Sequence, residues 1–389
     1  MCNATASNML DEPSLPRYTQ PVRGDTVSTS HIQQLEDYLA ASLLSSEGMA
    51  QHQAGKVSKH ELAPFLSEIA AISASYLSHD VGSTLPSPIK SVRSAEGYAL
   101  YYSVINAAKV LHLLPNFAFD KDEISVLDLG SGPGTAGLAL LTGLNKAIRL
   151  TCVEHSPHMR NVAERLLSRY NGAGTLTKLS MLPALPSRPN EPYDLVIAAN
   201  VVAELDTAEG ERMMRSLAEK TAPGGYLVVL EPGQQLHTRR LMHLRNNLLE
   251  TSNEFVPVFP CLRRDPCPML AFSDTDWCHG TIEWSQPRLN AHLDDLLSFN
   301  KHRIKYSAFI FQRGGVIPSG IRVLTPPEKT RAGIDTLVCG KDTYTVARIR
   351  KGARSERNRA LEKASVFERL LVSEPIQREI GDEVLITKP

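Results

Sequence analysis

The feature that most constrains the fold is a short apolar strand that runs directly into a glycine-rich loop, in the stretch ISVLDLGSGPGT. The loop holds Gly130, Gly132 and Gly134, and the residues after it, TAGLALLTGL, have the pattern of a helix. Glycine lets the backbone adopt positive φ and approach a ligand closely, while the N-terminus of a helix offers unpaired N–H groups. A strand, a glycine loop and a helix in this order predict a binding site for a nucleotide-like ligand.

Strand and helix patterns alternate over the next hundred residues. The strand-like runs IRLTCVEHS, YDLVIAANVVAEL and PGGYLVVLEPG are separated by helix-like runs such as PHMRNVAERLLSRY, and LTKLSML is a further candidate strand. Such alternation is typical of βαβ units and a parallel sheet. We therefore expect an α/β fold, with two more strands late in the chain, in KYSAFIFQRG and in GIDTLVCGKDTYTVARIR.

The sequence divides into segments that differ in composition and in the spacing of their apolar residues. A polar start rich in Ser, Thr and Pro is typical of a disordered tail, and the spacing of apolar residues in HELAPFLSEIAAISASYL and similar runs predicts helices before the α/β pattern. The expected order is a disordered tail (1–30), a helical region (31–118), an α/β domain (119–252), a cysteine-bearing insertion (253–300), the last strands of the sheet (301–350) and a basic tail (351–389).

Composition limits the class of protein. A chain of 389 residues with 42% hydrophobic content can bury a hydrophobic core that needs no disulfide or metal cross-links, and six cysteines are too few for a disulfide scaffold. No run approaches the ~20 apolar residues of a membrane span, and the N-terminus lacks both a signal core and an Arg-rich transit composition. We therefore expect a cytoplasmic protein, or a mitochondrial one if the source is eukaryotic, with no membrane association.

Residues around the loop indicate which nucleotide-like ligand it binds. Gly132, Gly134 and Gly137 fit the dinucleotide fingerprint, with Glu154 about 20 residues further on. Asp128, however, stands two residues before the first glycine, where a carboxylate suits a cationic amino-acid group and would repel a pyrophosphate. Glu154 follows the next strand and can accept hydrogen bonds from two ribose hydroxyls. These features favour an amino-acid-bearing nucleoside over NAD(P).

The combination resembles the class I S-adenosylmethionine-dependent methyltransferases over about residues 120 to 235. The resemblance implies that S-adenosylmethionine is the cofactor and that the residues of the loop and its two flanking carboxylates bind it: Asp128, Gly130, Gly132, Gly134 and Glu154. The stretch LTKLSMLPALP lacks the acidic or amide residue that such proteins often place near the adenine, so that contact stays unassigned.

The end of the YDLVIAAN strand is where methyl acceptors approach in that fold. Asn200 and Glu204 are the polar residues there and are the candidates for catalysis. Asn200 also suits a helix cap, which is the interpretation we favour. No Asn-Pro-Pro-aromatic sequence is present, which argues against methylation of an exocyclic amine of a base.

Four of the six cysteines lie late in the chain. Cys261, Cys267 and Cys278 fall in PCLRRDPCPMLAFSDTDWCHG, and Cys339 follows in DTLVC. Neither of the gaps in the first segment matches the short spacing of a zinc ribbon. A four-cysteine zinc site, an iron–sulfur cluster, which needs more widely separated thiolates, and unligated buried cysteines all stay open at this point. The remaining two, Cys2 and Cys152, are expected to take no part.

With AANVVAEL, PGGYLVVLEPG and RAGIDTLVC, this segment resembles a methyltransferase-like family of small-ribosomal-subunit assembly factors, from about Tyr98 to Ile349. The resemblance implies binding to the small ribosomal subunit and its rRNA, a monomer away from the ribosome, and a 4Fe–4S cluster on four cysteines: Cys261, Cys267, Cys278 and Cys339. It leaves open whether the chain methylates rRNA or is a non-catalytic assembly factor. A small-molecule methyltransferase with a four-cysteine zinc site is the further alternative.

Positive charge is concentrated between residues 299 and 363, which hold 15 Lys/Arg against 5 Asp/Glu. For an RNA partner, the expected phosphate-contacting strip consists of six residues: Arg348, Arg350, Lys351, Arg354, Arg357 and Arg359. Tyr306, Phe309 and Phe311 lie on an apolar strand, so we expect them to pack in the core rather than stack on bases.

Overall fold

The computed structural model describes residues 29–77, 87–186, 191–202 and 205–389. The expected disordered tail, which includes Cys2, therefore lies outside the described residues except for its last two positions, and so does the candidate Glu204.

Four helices open the described chain: α1 (Thr29–Leu43), α2 (Ser46–Gln53), α3 (Lys59–Leu77) and α4 (Val92–Leu113). The longest, α4, begins at a reciprocal cap in which Ser91 Oγ accepts the Ser94 N–H at 3.0 Å and the Ser94 side chain accepts the Ser91 N–H at 2.9 Å. Most of α4 is buried, because it packs between the other helices and the sheet. None of the described helices is both long and apolar enough to cross a bilayer.

The α/β part follows in alternating order. Its elements are β1 (Glu123–Leu129), α5 (Thr135–Gly143), β2 (Ala147–Val153), α6 (Pro157–Leu167), β3 (Thr175–Leu182), β4 (Tyr193–Ala199), α7 (Thr207–Lys220), β5 (Thr221–Pro232), α8 (Gln235–Thr251), β6 (Phe255–Phe259), α9 (Pro268–Phe272), β7 (Gly280–Glu283), α10 (Arg288–Leu297) and β8 (Arg303–Arg313).

These strands form one sheet in the order β3-β2-β1-β4-β5-β8-β6, with β7 also pairing with β8. Strands β1 to β5 are parallel, and β8 runs antiparallel to both β5 and β6. The direction of winding reverses between β1 and β4, so the crevice beyond their carboxyl ends is where ligands bind in open α/β sheets. This is the α/β class I methyltransferase fold that the sequence predicts.

The first sheet is buried on both faces, which explains the nearly continuous apolar runs of its strands. Tyr306, Phe309 and Phe311 are each at most 1% exposed, so the prediction that they pack in the core is confirmed. Cys152 on β2 is fully buried among the same apolar side chains, as expected for a cysteine acting as a small hydrophobe.

The helical N-terminal region is fastened to the α/β part by buried polar contacts. Glu36 on α1 accepts hydrogen bonds from the N–H groups of Leu289 and Asn290, at 2.9 and 2.7 Å, at the start of α10. The Tyr101 hydroxyl on α4 donates a hydrogen bond to the Asp294 carboxylate, which lies on α10. Because a carboxylate stabilises a helix N-terminus, Glu36 links two segments that lie about 250 residues apart in the chain.

A second sheet follows. Its strands are β9 (Ile321–Val323), β10 (Glu328–Lys329), β11 (Gly333–Gly340), β12 (Tyr344–Arg350), β13 (Arg369–Val372), β14 (Glu379–Ile380) and β15 (Ile386–Thr387), and the short helix α11 (Arg359–Glu362) lies between β12 and β13 in the chain. Its order is β14-β12-β11-β9-β13-β15, and β10 pairs with β11. It encloses a separate apolar core that includes Val338, Ile349 and Leu370.

The second sheet corrects two expectations. Within residues 301–350 only β8 joins the first sheet, because GIDTLVCGKDTYTVARIR forms the antiparallel pair β11–β12, joined by a turn at residues 341–343. The segment 351–389 is not a solvated basic tail, since Leu361, Leu370 and Ile386 are buried in the core of this sheet. The chain ends in a small β unit rather than in an extension of the first sheet.

Candidate functional site

The glycine loop lies at the carboxyl ends of β1 and β2. The N–H groups of Gly130 and Ser131 donate to the carbonyl of Val153, at 2.8 and 3.1 Å, which ties the loop to the end of β2. Gly130 and Gly132 have φ of 66° and 53°, a left-handed conformation that favours glycine. A Cβ at Gly130 would lie 2.4 Å from Val201, whereas one at Gly132 would meet no atom within 4 Å. Gly132 therefore faces open space.

That space is a cavity of about 330 Å³, here called the loop cavity. The loop and the ends of β1 and β4 form one wall, and α4 forms the other. Its lining residues are Tyr98, Asn106, Val110, Asp128, Gly130, Ser131, Gly132, Pro133, Thr135, Ala136, Ala199 and Asn200. The structure thus brings four predicted residues to one cavity: Asp128, Gly130, Gly132 and Asn200.

Three buried polar atoms on residues that line the loop cavity have no hydrogen-bond partner among the described residues. Two are acceptors, Asp128 Oδ2 and Asn200 Oδ1, and the third is the hydroxyl oxygen of Ser131, which can also donate. Burial, together with repulsion from Glu154, raises the pKa of Asp128 to about 8. Since an unsatisfied buried polar atom costs roughly 1–3 kcal/mol, this wall suits a ligand that carries N–H donors or a positive charge.

Asn200 does not serve as the cap of α7, which corrects the preference for a capping role. That helix is capped by Asp206, whose carboxylate accepts the N–H of Glu209 at 2.8 Å. Asn200 has φ of 59°, and its own N–H donates to Leu230 on the neighbouring strand at 2.7 Å. Asn tolerates the left-handed region better than most residues, so the bend after β4 turns its side chain to the cavity.

Glu154 and Gly134 lie beside the loop cavity rather than in its wall. The Glu154 carboxylate accepts the N–H of Gly132 at 3.0 Å and that of Ser156 at 2.7 Å, so it braces the glycine loop. Each carboxylate oxygen has a second acceptor site, which leaves capacity for a hydroxyl donor. Gly134, with φ of 85°, is the residue from which α5 starts, and a Cβ there would lie 2.8 Å from Leu167.

The four late cysteines meet around a second cavity of about 380 Å³, here called the cysteine cavity. Cys261, Cys267 and Cys278 come from the loops between β6 and β7, and Cys339 comes from β11 of the second sheet. Side chains from neighbouring elements hold the main chain of these loops: Cys267 N–H donates to Asn246 Oδ1 at 3.0 Å, and Ser307 Oγ donates to the Cys278 carbonyl at 3.1 Å. The thiols therefore bridge the two sheets.

Three arginines also line the cysteine cavity: Arg245, Arg263 and Arg322. Arg322, on β9, is 5% exposed and donates to the main-chain carbonyls of Pro260, Phe367 and Val258, at 2.9, 2.7 and 3.2 Å. Arg245 is 1% exposed, and the Nε atoms of Arg245 and Arg263 lack a partner among the described residues. Buried guanidinium groups held by carbonyls keep their positive charge, so this cavity favours an anionic occupant.

The protonation of the thiols depends on what the cavity holds. Burial and the neighbouring thiols raise the pKa of Cys339 to about 12 and also raise those of Cys267 and Cys278. Without a cation these groups are neutral thiols at pH 7. Because metal ligation requires thiolates, binding of a metal centre here must release protons.

The spacing of the sulfur atoms bears on the size of such a centre. Four thiolates bound at ~2.3 Å to one tetrahedral zinc ion would lie only about 3.8 Å from one another. Within the described part of the chain, no three of these cysteine sulfurs lie within 4.8 Å of one another.

Most cations of the expected phosphate strip are paired with carboxylates. Arg348 binds Asp335 through two hydrogen bonds of 2.7 and 2.5 Å, and Arg354 binds Glu362 in the same way at 2.8 and 2.6 Å. Arg350 pairs with Glu379, and Arg359 pairs with Glu356. Four of the six cations of this strip are therefore neutralised at the surface, which weakens the strip as an RNA-binding feature.

Sequence patterns miss one wall of each cavity. Tyr98, Asn106 and Val110 of α4 line the loop cavity, and their helical spacing fits an ordinary packing helix. The arginines of the cysteine cavity come from α8, from the loop after β6 and from β9. No local motif marks either group, because each is assembled only by tertiary packing.

Comparison with known proteins gives partial matches to methyltransferases. A stretch of 108 residues is 37% identical to the ribosomal protein L11 methyltransferase of Geotalea uraniireducens (strain Rf4). The matched stretch makes up 28% of this chain and 31% of that protein. The chain thus spans about a third of the length of this relative.

Two solved structures show the same kind of match. The N-methyltransferase NodS of Bradyrhizobium japonicum WM9 is 16% identical with a TM-score of 0.34, covering 54% of this chain and 86% of its own. The magnesium protoporphyrin IX methyltransferase of Synechocystis PCC 6803 is 13% identical with a TM-score of 0.35, covering 64% and 99%.

The family model described as mitochondrial small ribosomal subunit Rsm22 matches residues 90–362. This range runs from the start of α4 to the end of α11 and so includes both cavities. With the class I methyltransferase fold, a match over most of the chain shows that this protein belongs to the Rsm22 family.

Proposed function

We propose that the chain binds S-adenosylmethionine in the loop cavity and acts on the small ribosomal subunit as a methyl-transfer factor. One observation carries this proposal: Asp128 Oδ2 and Asn200 Oδ1 are buried acceptors with no hydrogen-bond partner in the part of the chain that the structure describes, at the carboxyl edge of a class I methyltransferase sheet. Membership of the Rsm22 family supports the connection with the small subunit.

The residues of the loop cavity fit this cofactor. Asp128 and Asn200 offer acceptors to an ammonium group, and its positive charge would lower the pKa of Asp128 so that the carboxylate ionises. Gly132 leaves room beside the loop, and Glu154 retains acceptor sites for ribose hydroxyls. When bound, S-adenosylmethionine supplies an activated methyl group on a positively charged sulfur.

The proposal includes a 4Fe–4S cluster on Cys261, Cys267, Cys278 and Cys339. The four cysteines that line one cavity and the arginines that surround them support it, since four thiolates around such a centre carry net negative charge. Its role would be structural: ligation fastens β11 of the second sheet to the loops beside β6 and β7. Cys267 is then a ligand and not a nucleophile for methyl transfer.

The proposal has three further parts. The chain binds rRNA, it is a monomer when it is off the ribosome, and it is located in the cytoplasm or in mitochondria. The family description supports the small subunit as partner and a mitochondrial setting in eukaryotes. Lys351 is exposed and has no carboxylate partner within the described part of the chain, unlike most members of the basic strip. It is therefore the best candidate of that strip for a phosphate contact.

A second candidate function is a non-catalytic assembly factor that uses the cofactor and the cluster as structural elements. The observation in its favour is the scarcity of proton acceptors. Among the described residues that line the loop cavity, only Asp128 and Tyr98 titrate, and Asp128 is committed to the cofactor in this proposal. No general base for an acceptor has been identified among them.

Anaerobic purification followed by three measurements tests these alternatives. Iron and sulfide content near four per chain supports the cluster, whereas one zinc per chain contradicts it. Calorimetry with S-adenosylmethionine tests the cofactor, with Gly132→Arg as a variant that fills the cavity. Methyl transfer to rRNA of small-subunit particles distinguishes an enzyme from an assembly factor, which would bind the particles without transferring methyl groups. Zinc without affinity for RNA would favour a small-molecule methyltransferase.

A further inference from the structure

We propose that Lys109 and Asn106 form the subsite for the carboxylate of the cofactor's methionine group, with Lys109 acting through Asn106 as a positioning residue. This inference rests on the proposed function and assigns a specific role to α4, the helical wall of the loop cavity. It explains how the cavity distinguishes the ammonium group from the carboxylate of the cofactor's methionine part.

The first step is a short hydrogen-bonded chain along α4. Lys109 Nζ donates to Asn106 Oδ1 at 2.8 Å, and Asn106 Nδ2 donates to Tyr98 Oη at 3.1 Å. An ammonium group has only donors, so Lys109 fixes which end of the Asn106 amide faces it. The NH2 group of Asn106 is thereby held toward Tyr98, and both Asn106 and Tyr98 line the loop cavity.

The second step is the burial of Lys109. This residue is only 5% exposed, although lysine is among the residues least often buried. Burial lowers the pKa of its ammonium group to about 8, the Glu231 carboxylate on β5 opposes that shift, and Lys301 adds to it. Lys109 therefore still carries a positive charge at pH 7, close behind the wall that Asn106 forms.

The third step is the polarity of the loop cavity as a whole. Asp128 and Asn200 present bare acceptor atoms on the sheet side, while Asn106 presents a donor group, backed by a buried cation, on the α4 side. A cavity with an acceptor wall and a donor wall matches the ammonium and the carboxylate of one amino acid. Charge-assisted hydrogen bonds to a carboxylate are stronger than neutral ones, so the buried charge behind Asn106 favours an anion there.

The test compares two ligands by calorimetry at pH 7: S-adenosylmethionine and its decarboxylated form, which keeps the amine and the adenosine. We expect Lys109→Met to weaken binding of S-adenosylmethionine by about 10- to 100-fold and binding of the decarboxylated form by less than about twofold. Lys109→Arg, which restores the charge, should recover part of the difference. Lys90→Met removes an exposed charge just before the same helix and should change neither affinity.

Asn106→Asp provides an independent variant that keeps the size of the side chain and the bond to Lys109. It puts a carboxylate where the amide NH2 stood, so S-adenosylmethionine should lose at least tenfold in affinity while its decarboxylated form does not. Equal losses for both ligands in these variants, or no loss for either, would overturn the inference while leaving cofactor binding intact. Failure of S-adenosylmethionine to bind the unaltered protein would instead overturn the proposed function itself.

Discussion

The loop cavity and the cysteine cavity are built in opposite ways. Residues 128–136 alone supply most of the sheet-side wall of the loop cavity, and the strand order places that wall at the crevice. The cysteine cavity takes its thiols from segments spread over residues 261–339 and from both sheets. One site is encoded locally and completed by a helix, whereas the other exists only after two separate cores have docked.

The difference teaches where each site is vulnerable. The loop cavity needs particular backbone angles at adjacent residues, so single methyl groups should damage it without disturbing the second sheet. The cysteine cavity gathers buried arginines and thiols whose pKa values are raised by burial, so we expect its stability to depend on the proposed metal centre. Loss of the metal centre proposed for the cysteine cavity should loosen the contact between the two sheets and leave the glycine loop in place.

The largest expected effect comes from removing one buried thiol. Cys278→Ser should abolish nearly all bound iron and sulfide and lower the unfolding temperature, since a structural metal centre contributes folding free energy directly. Cys152→Ala is the matched control, because this cysteine is buried in β2 and expected to take no part. Metal analysis and thermal unfolding measure both. Full iron content in Cys278→Ser would contradict the ligand set.

Next in size is a backbone change at the glycine loop. Gly130→Ala puts a Cβ 2.4 Å from Val201 at a φ of 66°, so we expect a loss of about 1–3 kcal/mol in stability and at least tenfold in cofactor affinity. Gly132→Ala meets no neighbour within 4 Å, and its smaller loss of stability, about 1 kcal/mol, comes from φ alone.

Chemical denaturation and calorimetry compare the two glycine variants. Iron content should stay unchanged in both, because the cysteine cavity is built from other segments. If iron content falls together with cofactor affinity in either variant, the two cavities are coupled. That result would contradict the view that they are built independently.

A smaller effect is expected from the titration of Asp128. Its folded pKa of about 8 lies above the ~3.9 of an unfolded aspartate. The folded state therefore holds a proton that the unfolded state has released, and this stability is lost as pH rises toward 8. The slope contributed by this group is at most about 1.4 kcal/mol per pH unit.

Asp128→Asn tests the sign. Without cofactor, its free energy of unfolding should exceed that of the unaltered protein by an amount that grows between pH 5 and pH 8, as urea denaturation can measure. Its affinity for S-adenosylmethionine should fall, because an amide cannot neutralise an ammonium group. A difference that stays constant between pH 5 and pH 8 would mean that Asp128 is already ionised in the unliganded folded protein.

The smallest effects concern the outer face of the second sheet. Arg354→Ala should change affinity for small-subunit rRNA by less than about twofold, because Glu362 already neutralises that charge. Lys351→Ala should weaken binding more and reduce the salt dependence by about one ion. Binding measured at several salt concentrations separates the two. Equal effects would show that the surface ion pairs open when RNA binds.

Sequence patterns anticipate much of the first sheet and half of each cavity. The strand before the loop, the left-handed glycines and the buried Asp128 follow from residues adjacent in the chain, so local rules suffice for them. The preference for Asn200 as a helix cap was wrong because the chain after β4 continues to Asp206 before α7 begins. Whether a polar residue at a strand end caps a helix depends on where that helix starts, which spacing does not reveal.

What the sequence alone determined is the local chemistry: a strand that must be buried, a loop that favours glycine, and three thiols in one short segment. Tertiary structure decided the rest. It placed Cys339 in a second sheet with its own core, neutralised the basic strip with carboxylates such as Glu362, and set Lys109 behind Asn106 in the wall of the loop cavity. The physical reason is that burial and charge pairing depend on which distant segments pack together, and no local pattern specifies that.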